Sequence, residues 1–479
     1  MSWNSPRHAF LLPHHCATLR RQTKPRMTGA MPAYHFDHAL LNSGWARDVR
    51  VDVAGGAIAR VTPDAPRDEA PQVAGFAIPG MPNLHCHAFQ RGMAGLAEKR
   101  GPAHDSFWTW REVMYRFLAR LTPDDAEAIA AFAYMQMLET GFTAVGEFHY
   151  LHHDIDGRPY ADLGEMAARI ATAANTTGIG LTLLPALYIY GGFGGAAPNQ
   201  GQKRFLNDPD RYAALLARSR EIVKALPDAC VGIAPHSLRA VTPEALRNAV
   251  AAHGGGPIHI HAAEQTKEVA DCIAALKATP VAWLLGNAAV DQRWCLIHAT
   301  HMTEDETRRL AASGAVAGLC PLTEASLGDG IFNGAEFFSH RGRFGVGTDS
   351  NIQVGAAAEL RMLEYSQRLR RHTRNVFAQE GESTGARLYM EACRGGAQAL
   401  GREIGAIEEG KRADIVVLDA QHPDVAGADG VLDAYVFVAG EALVKSVMVG
   451  GEVVVADRRH KHRDAITARY RKTMQKLSA

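Results

Sequence analysis

Residues 79–87 read Pro79-Gly80-Met81-Pro82-Asn83-Leu84-His85-Cys86-His87, and this stretch decides how the rest of the chain is interpreted. His85 and His87 are one residue apart, so on an extended strand their side chains point to the same side. Two imidazoles aimed at one point form half of a metal site, although such pairs also occur as packed core or surface histidines. The remaining sequence has to decide between ligation and packing.

The composition narrows the class of protein. The chain has 479 residues, of which 47% are hydrophobic and 21% charged, as in ordinary globular proteins. Lysine plus arginine equals aspartate plus glutamate at 51 each, so no excess charge favours a nucleic acid or an anionic membrane as partner. No run approaches the roughly 18 apolar residues of a membrane span. We therefore expect a small-molecule substrate, with no nucleic-acid partner and no membrane partner.

The cysteines and the N-terminus bear on the compartment. Seven cysteines are scattered without a Cys-x-x-Cys pair, so neither a disulfide framework nor a zinc ribbon is indicated, and a reducing cytoplasm is expected. Residues 1–30 hold several arginines and no acids, as transit peptides do, but no amphipathic period is evident. We interpret them as a disordered extension, or as sequence ahead of a start codon at Met27 or Met31.

Both ends of the chain carry short alternating runs that are typical of strands. These runs are 33–41, 48–53, 57–61, 413–418, 443–449 and 452–456. The pattern predicts a small β-sandwich domain built from residues 31–78 and 410–457. Residues 458–479 are basic with helical spacing, which predicts a C-terminal helical tail, and packing on a partner subunit is one role for it.

Between the two ends, apolar runs alternate with helical segments. The runs are 76–87, 143–150, 180–188, 231–238, 257–264, 294–300, 315–322 and 343–349. Threonine followed by acidic residues marks the start of intervening helices, as at Thr122, Thr242 and Thr303. Eight strands alternating with helices predict a (β/α)8 TIM barrel over residues 79–409, whose functional groups lie at the carboxyl ends of the strands.

Polar residues are found where that architecture needs them. Five of the eight runs end in histidine or aspartate, namely His85 with His87, His236, His261, His298 and Asp349. His261 alternates with His259, and the position nearer the strand end favours His261 as the ligand. On local sequence alone, Asp349 could equally cap a turn. Three histidines and a carboxylate would suit Zn²⁺, or Fe²⁺ less often, which lowers the pKa of water and makes hydroxide available near neutral pH.

A hydrolase also needs a group that moves protons to the leaving atom. Glu264 follows His261 by three residues, where the strand gives way to a loop, and it would overhang such a metal. Asp349 and His298 would share the proton transfer. The alternative for Glu264 is an acid favoured by the dipole at a helix N-terminus.

These motifs together resemble the amidohydrolase superfamily. They are residues 79–95, His261-Ala262-Ala263-Glu264-Gln265, His298 and Gly347-Thr348-Asp349-Ser350. Within the superfamily, residues 87–91 and 234–241 are similar to the formimidoylglutamate deiminases of histidine degradation. The resemblance runs from about Met31 almost to the C-terminus. It implies hydrolytic deamination of N-formimino-L-glutamate to N-formyl-L-glutamate and ammonia.

The resemblance also implies roles for single residues. It makes four residues the ligands of one zinc ion per chain, namely His85, His87, His261 and Asp349. Glu264 and His298 become the acid–base and polarising pair. No lysine follows the fourth run, where binuclear relatives carry a bridging lysine, so a mononuclear site is expected. Cys86 departs from the expected serine, but it points away from the metal.

The substrate implied by the resemblance is a small dicarboxylate with a formimino group. One carboxylate would be bound by Gln90, Arg111 and Tyr150, and the other by His236 and Arg239. Two arginines fit a dianion. On local sequence, Arg111 could also be an ordinary surface residue of a helix. Superfamily precedent further implies a homodimer.

Two other functions stay open at this point. A deaminase acting on a guanine-like or triazine-like ring would share the metal centre but would need aromatic stacking surfaces in place of paired arginines. A non-catalytic barrel scaffold would have no physical need for the complete set of polar groups. The glycine-rich segment 191–195 is open to two interpretations, a mobile lid or a permissive turn.

Overall fold

The computed structural model describes residues 32–101 and 104–478, so the extension expected over residues 1–30 lies outside the described residues. The strands are β1 (Ala33–Leu41), β2 (Gly44–Ala54), β3 (Ala57–Thr62), β4 (Gln72–Pro79), β5 (Met81–Cys86), β6 (Phe142–His149), β7 (Gly180–Leu187), β8 (Cys230–Val231), β9 (Ala234–Pro235), β10 (Ile258–Ala262), β11 (Trp294–His298), β12 (Val316–Leu319), β13 (Arg343–Val346), β14 (Ile415–Leu418), β15 (Val444–Val449), β16 (Glu452–Ala456) and β17 (Arg459–His460).

The α-helices are α1 (Phe107–Leu118), α2 (Pro123–Glu139), α3 (Glu165–Thr177), α4 (Pro209–Val223), α5 (Pro243–His253), α6 (Thr266–Leu276), α7 (Pro280–Asn287), α8 (Glu304–Ser313), α9 (Pro321–Leu327), α10 (Gly334–Ser339), α11 (Ala356–Arg371), α12 (Thr384–Leu400), α13 (Val431–Ala434) and α14 (Arg463–Ser478). In the described part of the chain, no single helix is long and apolar enough to cross a membrane. One pair, α6 with α7, passes on length and composition together but is bent by 48°.

Capping threonines begin three of these helices, as the sequence predicts. Thr122 caps α2, Thr242 caps α5 and Thr303 caps α8. In α2 and α8 the third helical residue is acidic and accepts a hydrogen bond from the backbone N–H of the threonine. Two donors that the helix leaves unpaired are satisfied in this way, which fixes where each helix begins.

Strands from both ends of the chain form one eight-stranded sheet. Its order is β17-β16-β15-β14-β4-β1-β2-β3, and the antiparallel pairing of β14 with β4 joins the two ends. The predicted run 76–87 is divided at Gly80, because its first four residues belong to this sheet and the rest forms β5. A Cβ on Gly80 would lie 2.3 Å from Oγ1 of Thr143, so a side chain cannot be accommodated where the chain passes between the sheets.

Nine strand segments between those ends pair in parallel. One ladder runs β5-β6-β7-β8, with β9 also on β7, and the other runs β10-β11-β12-β13. Isolated parallel bridges join Ile233 to Ile258 and Ser237 to His261, and a further bridge joins Cys86 to Asp349. The predicted run 231–238 therefore corresponds to two strands of two residues each, the first of which begins one residue earlier, at Cys230. Because all these strands are parallel, their carboxyl ends lie on one side, where the site is found.

The basic C-terminal tail packs on its own chain. The ring of Tyr470 in α14 stacks on Phe132 in α2, with centroids 4.0 Å apart and an interplanar angle of 7°. Nearby, Nζ of Lys476 lies 2.7 Å from Oδ2 of Asp125. The apolar stack and the ion pair attach the tail to α2.

Candidate active site

Four buried side chains from three strand ends meet at one point. His85 is the penultimate residue of β5 and His87 directly follows that strand. His261 is the penultimate residue of β10, and Asp349 lies three residues after the end of β13. The Nε2 atoms of His85 and His261 are 3.2 Å apart. Oδ1 of Asp349 lies 3.5 Å from Nε2 of His85 and 3.3 Å from Nε2 of His87. The structure thus brings together the four residues that the sequence predicts as ligands.

Backbone carbonyls orient two of the imidazoles. Nδ1 of His87 lies 2.8 Å from the carbonyl oxygen of Phe148, and Nδ1 of His261 lies 3.0 Å from that of His236. A carbonyl oxygen only accepts, so each Nδ1 carries the proton and each Nε2 presents its lone pair. Both lone pairs therefore face the point at which the four side chains meet.

The donor set fits a divalent cation. The ligand nitrogens of His85, His87 and His261 all lie within 4.8 Å of one another. Burial lowers the pKa of His85 to about 3 and lowers the pKa of His87 as well, so both rings are neutral and able to bind a metal. Neutral imidazoles with one carboxylate are the ligands that zinc and iron(II) sites use.

Two further predicted residues lie beside the cluster. Nε2 of His298 is 3.7 Å from Oε1 of Glu264 and 3.7 Å from Oδ2 of Asp349. Burial lowers the pKa of His298, but the surrounding carboxylates, Glu264 first, outweigh this and raise it to about 10. Burial raises the pKa of Glu264 above its ordinary value, although His298 and Arg239 oppose the shift. An acid that holds its proton more tightly than usual suits proton transfer near neutral pH.

Three residues at or just after the strand ends have left-handed backbone conformations, which change the directions of the side chains there. The φ angles are 68° at His298, 42° at Asp349 and 55° at Ala263. Such values are disfavoured for residues with a Cβ, by roughly 1 kcal/mol or more each. The turns redirect side chains that would otherwise continue the alternation of the strands.

A cleft opens in front of the cluster and contains two cations. Arg111 and Arg239 both line it, with His87, His261, Glu264 and Asp349. Cζ of Arg111 lies 4.6 Å from the ring centroid of Trp108, and its Nε is buried without a hydrogen-bond partner. Among the described residues Arg111 makes no ion pair. A cation held by aromatic rings and left without a carboxylate is suited to an anionic ligand.

The remaining predicted contacts lie in the same cleft. Nε2 of Gln90 donates to the hydroxyl of Tyr150 at 2.8 Å, which leaves Oε1 of Gln90 buried without a partner. His236 lines the cleft, and its Nδ1 lies 3.1 Å from Oγ of Ser237. Apolar and aromatic side chains complete the wall, namely Phe107, Trp110, Met114, Tyr115, Tyr188, Phe205 and Leu327.

The structure shows the positions of His259, the alternative to His261 as ligand, and of the glycine-rich segment 191–195. Nε2 of His259 lies 2.8 Å from the carbonyl oxygen of Ala399, so this ring is directed into the packing behind the strand. Its neighbour His261 is the one that reaches the cluster. Segment 191–195 ends in a short 3₁₀ turn, Phe193–Gly195, with Gly192 bridged to Ala196.

Sequence reasoning missed two buried carboxylates beside the site. Oε1 of Glu324, in α9, accepts from the backbone N–H of Cys320 at 2.9 Å and lies 3.3 Å from Nδ1 of His298. Oε2 of Glu268, in α6, accepts from the backbone N–H of Glu264 at 3.0 Å. Both lie in the first turn of a helix, where acids are common. No local signal separates them from ordinary helix-terminal acids.

Comparison with known proteins now adds to this geometry. Residues 76–454 match the amidohydrolase family. The chain belongs to the amidohydrolase family. The resemblance inferred from the motifs is thereby confirmed. Residues 31–71 of this amidohydrolase additionally match the formimidoylglutamate deiminase HutF N-terminal domain.

Individual relatives extend the comparison. The amidohydrolase is 51% identical over 435 residues to formimidoylglutamate deiminase of Pseudomonas aeruginosa, covering 90% of this chain and 96% of the relative. It is 50% identical to a crystal structure of an amidohydrolase from Brucella melitensis, with a TM-score of 0.90 over 93% of this chain and 100% of that one. An adenosine deaminase from Xanthomonas campestris with bound zinc shares the fold at 22% identity, a TM-score of 0.78, and coverage of 93% and 98%.

Proposed function

We propose that this amidohydrolase hydrolyses N-formimino-L-glutamate to N-formyl-L-glutamate and ammonia. The observation that carries the proposal is the 51% identity, over 90% of the chain, to the formimidoylglutamate deiminase of Pseudomonas aeruginosa. The cleft supports it, because Arg111 and Arg239 supply two cations in front of a metal-binding cluster. A substrate with two carboxylates and a hydrolysable formimino group matches both features.

The architecture that we propose for this function is a closed (β/α)8 barrel over residues 79–409. The three parallel bridges between the two ladders support closure of the ring. The small β domain would comprise residues 31–78 and 410–457, with 458–479 as a tail that begins with the edge strand β17 and is helical over Arg463–Ser478. Enzymes with such barrels have their catalytic residues at the carboxyl ends of the strands, where the cluster lies.

The metal that we propose is a single zinc ion, with iron(II) as the alternative. His85, His87, His261 and Asp349 would hold it through three nitrogens and one carboxylate oxygen. The two Nε2 lone pairs oriented by backbone carbonyls support this assignment. Bound there, the ion would act as a Lewis acid that lowers the pKa of water and polarises the formimino group.

The protein's own residues would carry the proton transfers. Oε1 of Glu264 accepts a proton from the attacking water as the bond from oxygen to the formimino carbon forms. The attack makes the formimino carbon tetrahedral. Nε2 of His298, 3.7 Å from the Glu264 carboxylate, stabilises the charge that develops on the oxygen and nitrogen atoms bound to this carbon. Asp349, 3.7 Å from the same nitrogen, shares the proton transfer. Glu264 then returns its proton to the leaving nitrogen, the C–N bond breaks and ammonia departs, while the new hydroxyl gives its proton to Asp349 as the formyl C=O bond forms.

The substrate would lie between the cations with its formimino carbon toward the cluster. Gln90, Arg111 and Tyr150 would bind one carboxylate, since the Nε donor of Arg111 is buried without a partner. His236 and Arg239 would bind the other. Buried polar groups that lack partners reject ligands that cannot pair them, which favours the dianion over a neutral ring.

The deciding experiment is ammonia release from the purified, zinc-loaded protein. N-formimino-L-glutamate is compared with N-formimino-L-aspartate and with guanine at equal concentration. We expect the glutamate derivative to have the highest kcat/KM and guanine to be inert. Turnover of guanine alone would replace this proposal with a ring deaminase. Inactivity on all three compounds, together with failure of the protein to retain zinc, would revive the scaffold. We also propose that the enzyme is a homodimer, which sedimentation equilibrium tests.

A further inference from the structure

Arg239 lies between two carboxylates that belong to the same stretch of chain. Its Nη2 is 3.3 Å from Oε2 of Glu264, and its Nε is 4.0 Å from Oε1 of Glu268. Arg239 follows β9, whereas both glutamates follow β10. The three side chains therefore connect two neighbouring strand ends of the site.

The carboxylate of Glu268 is fully buried, and in the described part of the chain only one of its two oxygens accepts a hydrogen bond. It has no exposed surface, and Oε2 accepts the backbone N–H of Glu264 at 3.0 Å. Oε1 is buried without a hydrogen-bond partner, as is Nε of Arg239. Burying a charge is costly unless an opposite charge lies close by, and Arg239 is the cation nearest to this oxygen among the contacts of the described residues.

Glu268 contacts two residues that are proposed to act at opposite ends of the substrate, one at the formimino group and one at a carboxylate. Through Oε2 it holds the backbone of Glu264, the group assigned to proton transfer at the formimino carbon. Through Oε1 it faces the Nε edge of Arg239, while Nη2 of that guanidinium contacts Glu264, so the terminal nitrogen left for a carboxylate of the substrate is Nη1. The fully buried carboxylate of Glu268 thus contacts both Glu264, which is proposed to transfer protons, and Arg239, which is proposed to bind a substrate carboxylate.

We propose that Glu268 is a positioning residue that fixes Arg239 relative to Glu264 and thereby selects the chain length of the dicarboxylate. This inference rests on the proposed function for its substrate. The side-chain carboxylate, which we assign to Arg239, lies one methylene further from the formimino carbon in N-formimino-L-glutamate than in N-formimino-L-aspartate. A fixed distance between Arg239 and Glu264 accepts one of the two and misplaces the other.

The test compares wild type with Glu268→Gln and with a control, Asp271→Asn. Glutamine keeps the size of the side chain and an acceptor for the backbone of Glu264, but it removes the charge that faces Arg239. Asp271 lies on the same helix and is exposed, paired with Lys267. Three quantities are measured for each protein: the ratio of kcat/KM for the glutamate and aspartate derivatives, the dissociation constant of glutarate, and Tm.

We expect Glu268→Gln to lower the glutamate-to-aspartate ratio about tenfold and to weaken glutarate binding about tenfold. Asp271→Asn should match wild type in all three measurements. A purely structural role would lower kcat/KM for both substrates alike and leave their ratio unchanged. A ratio and a glutarate affinity within twofold of wild type would overturn the inference.

A substitute variant and a second readout cover the cases in which the glutamine variant does not fold or the wild type is inactive. If the glutamine variant does not fold, Glu268→Asp replaces it, because the shorter side chain cannot reach both Glu264 and Arg239. An unchanged ratio in that variant also overturns the inference. If wild type releases ammonia from neither derivative, the proposed function fails, and glutarate binding alone decides whether Glu268 positions Arg239.

Discussion

The Nε2 atoms of His85 and His261 lie 3.2 Å apart although the residues are separated by 176 positions in the chain. Nδ1 of His261 donates to the carbonyl of His236, so its Nε2 can only accept. In the absence of a metal, the buried nitrogen of His85 has to supply the proton between them. A divalent cation would bind both Nε2 atoms, and the single proton of the neutral His85 ring would then lie on its Nδ1.

Removing one ligand should abolish metal binding, whereas removing the neighbouring histidine should not. We expect His261→Ala to lower zinc content from about one per chain to below about 0.1, with loss of activity. Tm should also fall, because a bound metal stabilises the folded state. His259→Asn is the matched control and should retain its zinc. Plasma mass spectrometry of dialysed protein measures the content, and a zinc-free His259→Asn protein would contradict the assignment.

Glu264 should be essential for turnover and dispensable for the metal. We expect Glu264→Gln to lower kcat by about 100- to 10,000-fold, since an amide cannot accept the proton from water. Zinc content should stay near one per chain, because Glu264 is not among the proposed ligands. Glu304→Gln, an exposed acid in the first turn of α8, is the control and should match wild type. Wild-type turnover by Glu264→Gln would remove its catalytic role.

Glu324 should act through His298. Its carboxylate lies 3.3 Å from Nδ1 of His298 and so fixes which nitrogen faces Glu264. We expect Glu324→Gln to lower kcat by about tenfold to 100-fold with little change in KM, because the ring is misoriented and the substrate contacts remain. Glu336→Gln removes a similar contact, to His340 on the surface, and serves as control. An equal loss in both variants would show that the effect is not specific to the site.

The two arginines should govern affinity for a dianion. Arg111→Met and Arg239→Met should each raise KM for N-formimino-L-glutamate by about tenfold or more, since a charge-assisted hydrogen bond is lost. Arg116→Met, on the exposed side of the same helix as Arg111, should leave KM unchanged. Steady-state kinetics measures both. Unchanged KM values in the two cleft variants would indicate a neutral substrate.

Glu147 should make stability depend on pH. It is buried, accepts hydrogen bonds from the backbone N–H of Ala88 and the hydroxyl of Tyr134, and burial raises its pKa from 4.5 to about 7. The folded state therefore favours the protonated acid. Its contribution is fully present below pH 4.5 and is lost as the pH rises through about 7.

Glu147→Gln removes that titration. Between pH 4.5 and 7.5 we expect wild type to lose up to about 3 kcal/mol of unfolding free energy relative to the variant. Denaturant unfolding of both proteins across this range gives the difference. Parallel curves would show that Glu147 does not titrate in this way.

Much of the fold followed from local pattern. Alternation predicted the strand-like runs, and capping threonines predicted where α2, α5 and α8 begin. The boundary at Gly80 was not visible, because an uninterrupted apolar run continues from one sheet into the next. The partner of the basic tail was not visible either, because helical spacing does not show which surface a helix covers, and Tyr470 stacks on α2 of its own chain.

The sequence by itself determined the candidate ligands, because alternation on a strand is local and parallel strands end on the same side. His85, His87, His261 and Asp349 could be named on that basis, and their role as ligands stays a prediction. Only the tertiary structure decided what surrounds them. Glu324 reaches His298, and Glu268 contacts the backbone of Glu264 and faces Arg239, which comes from a different strand end. Such contacts depend on side-chain directions set by left-handed turns and packing, which no local pattern encodes.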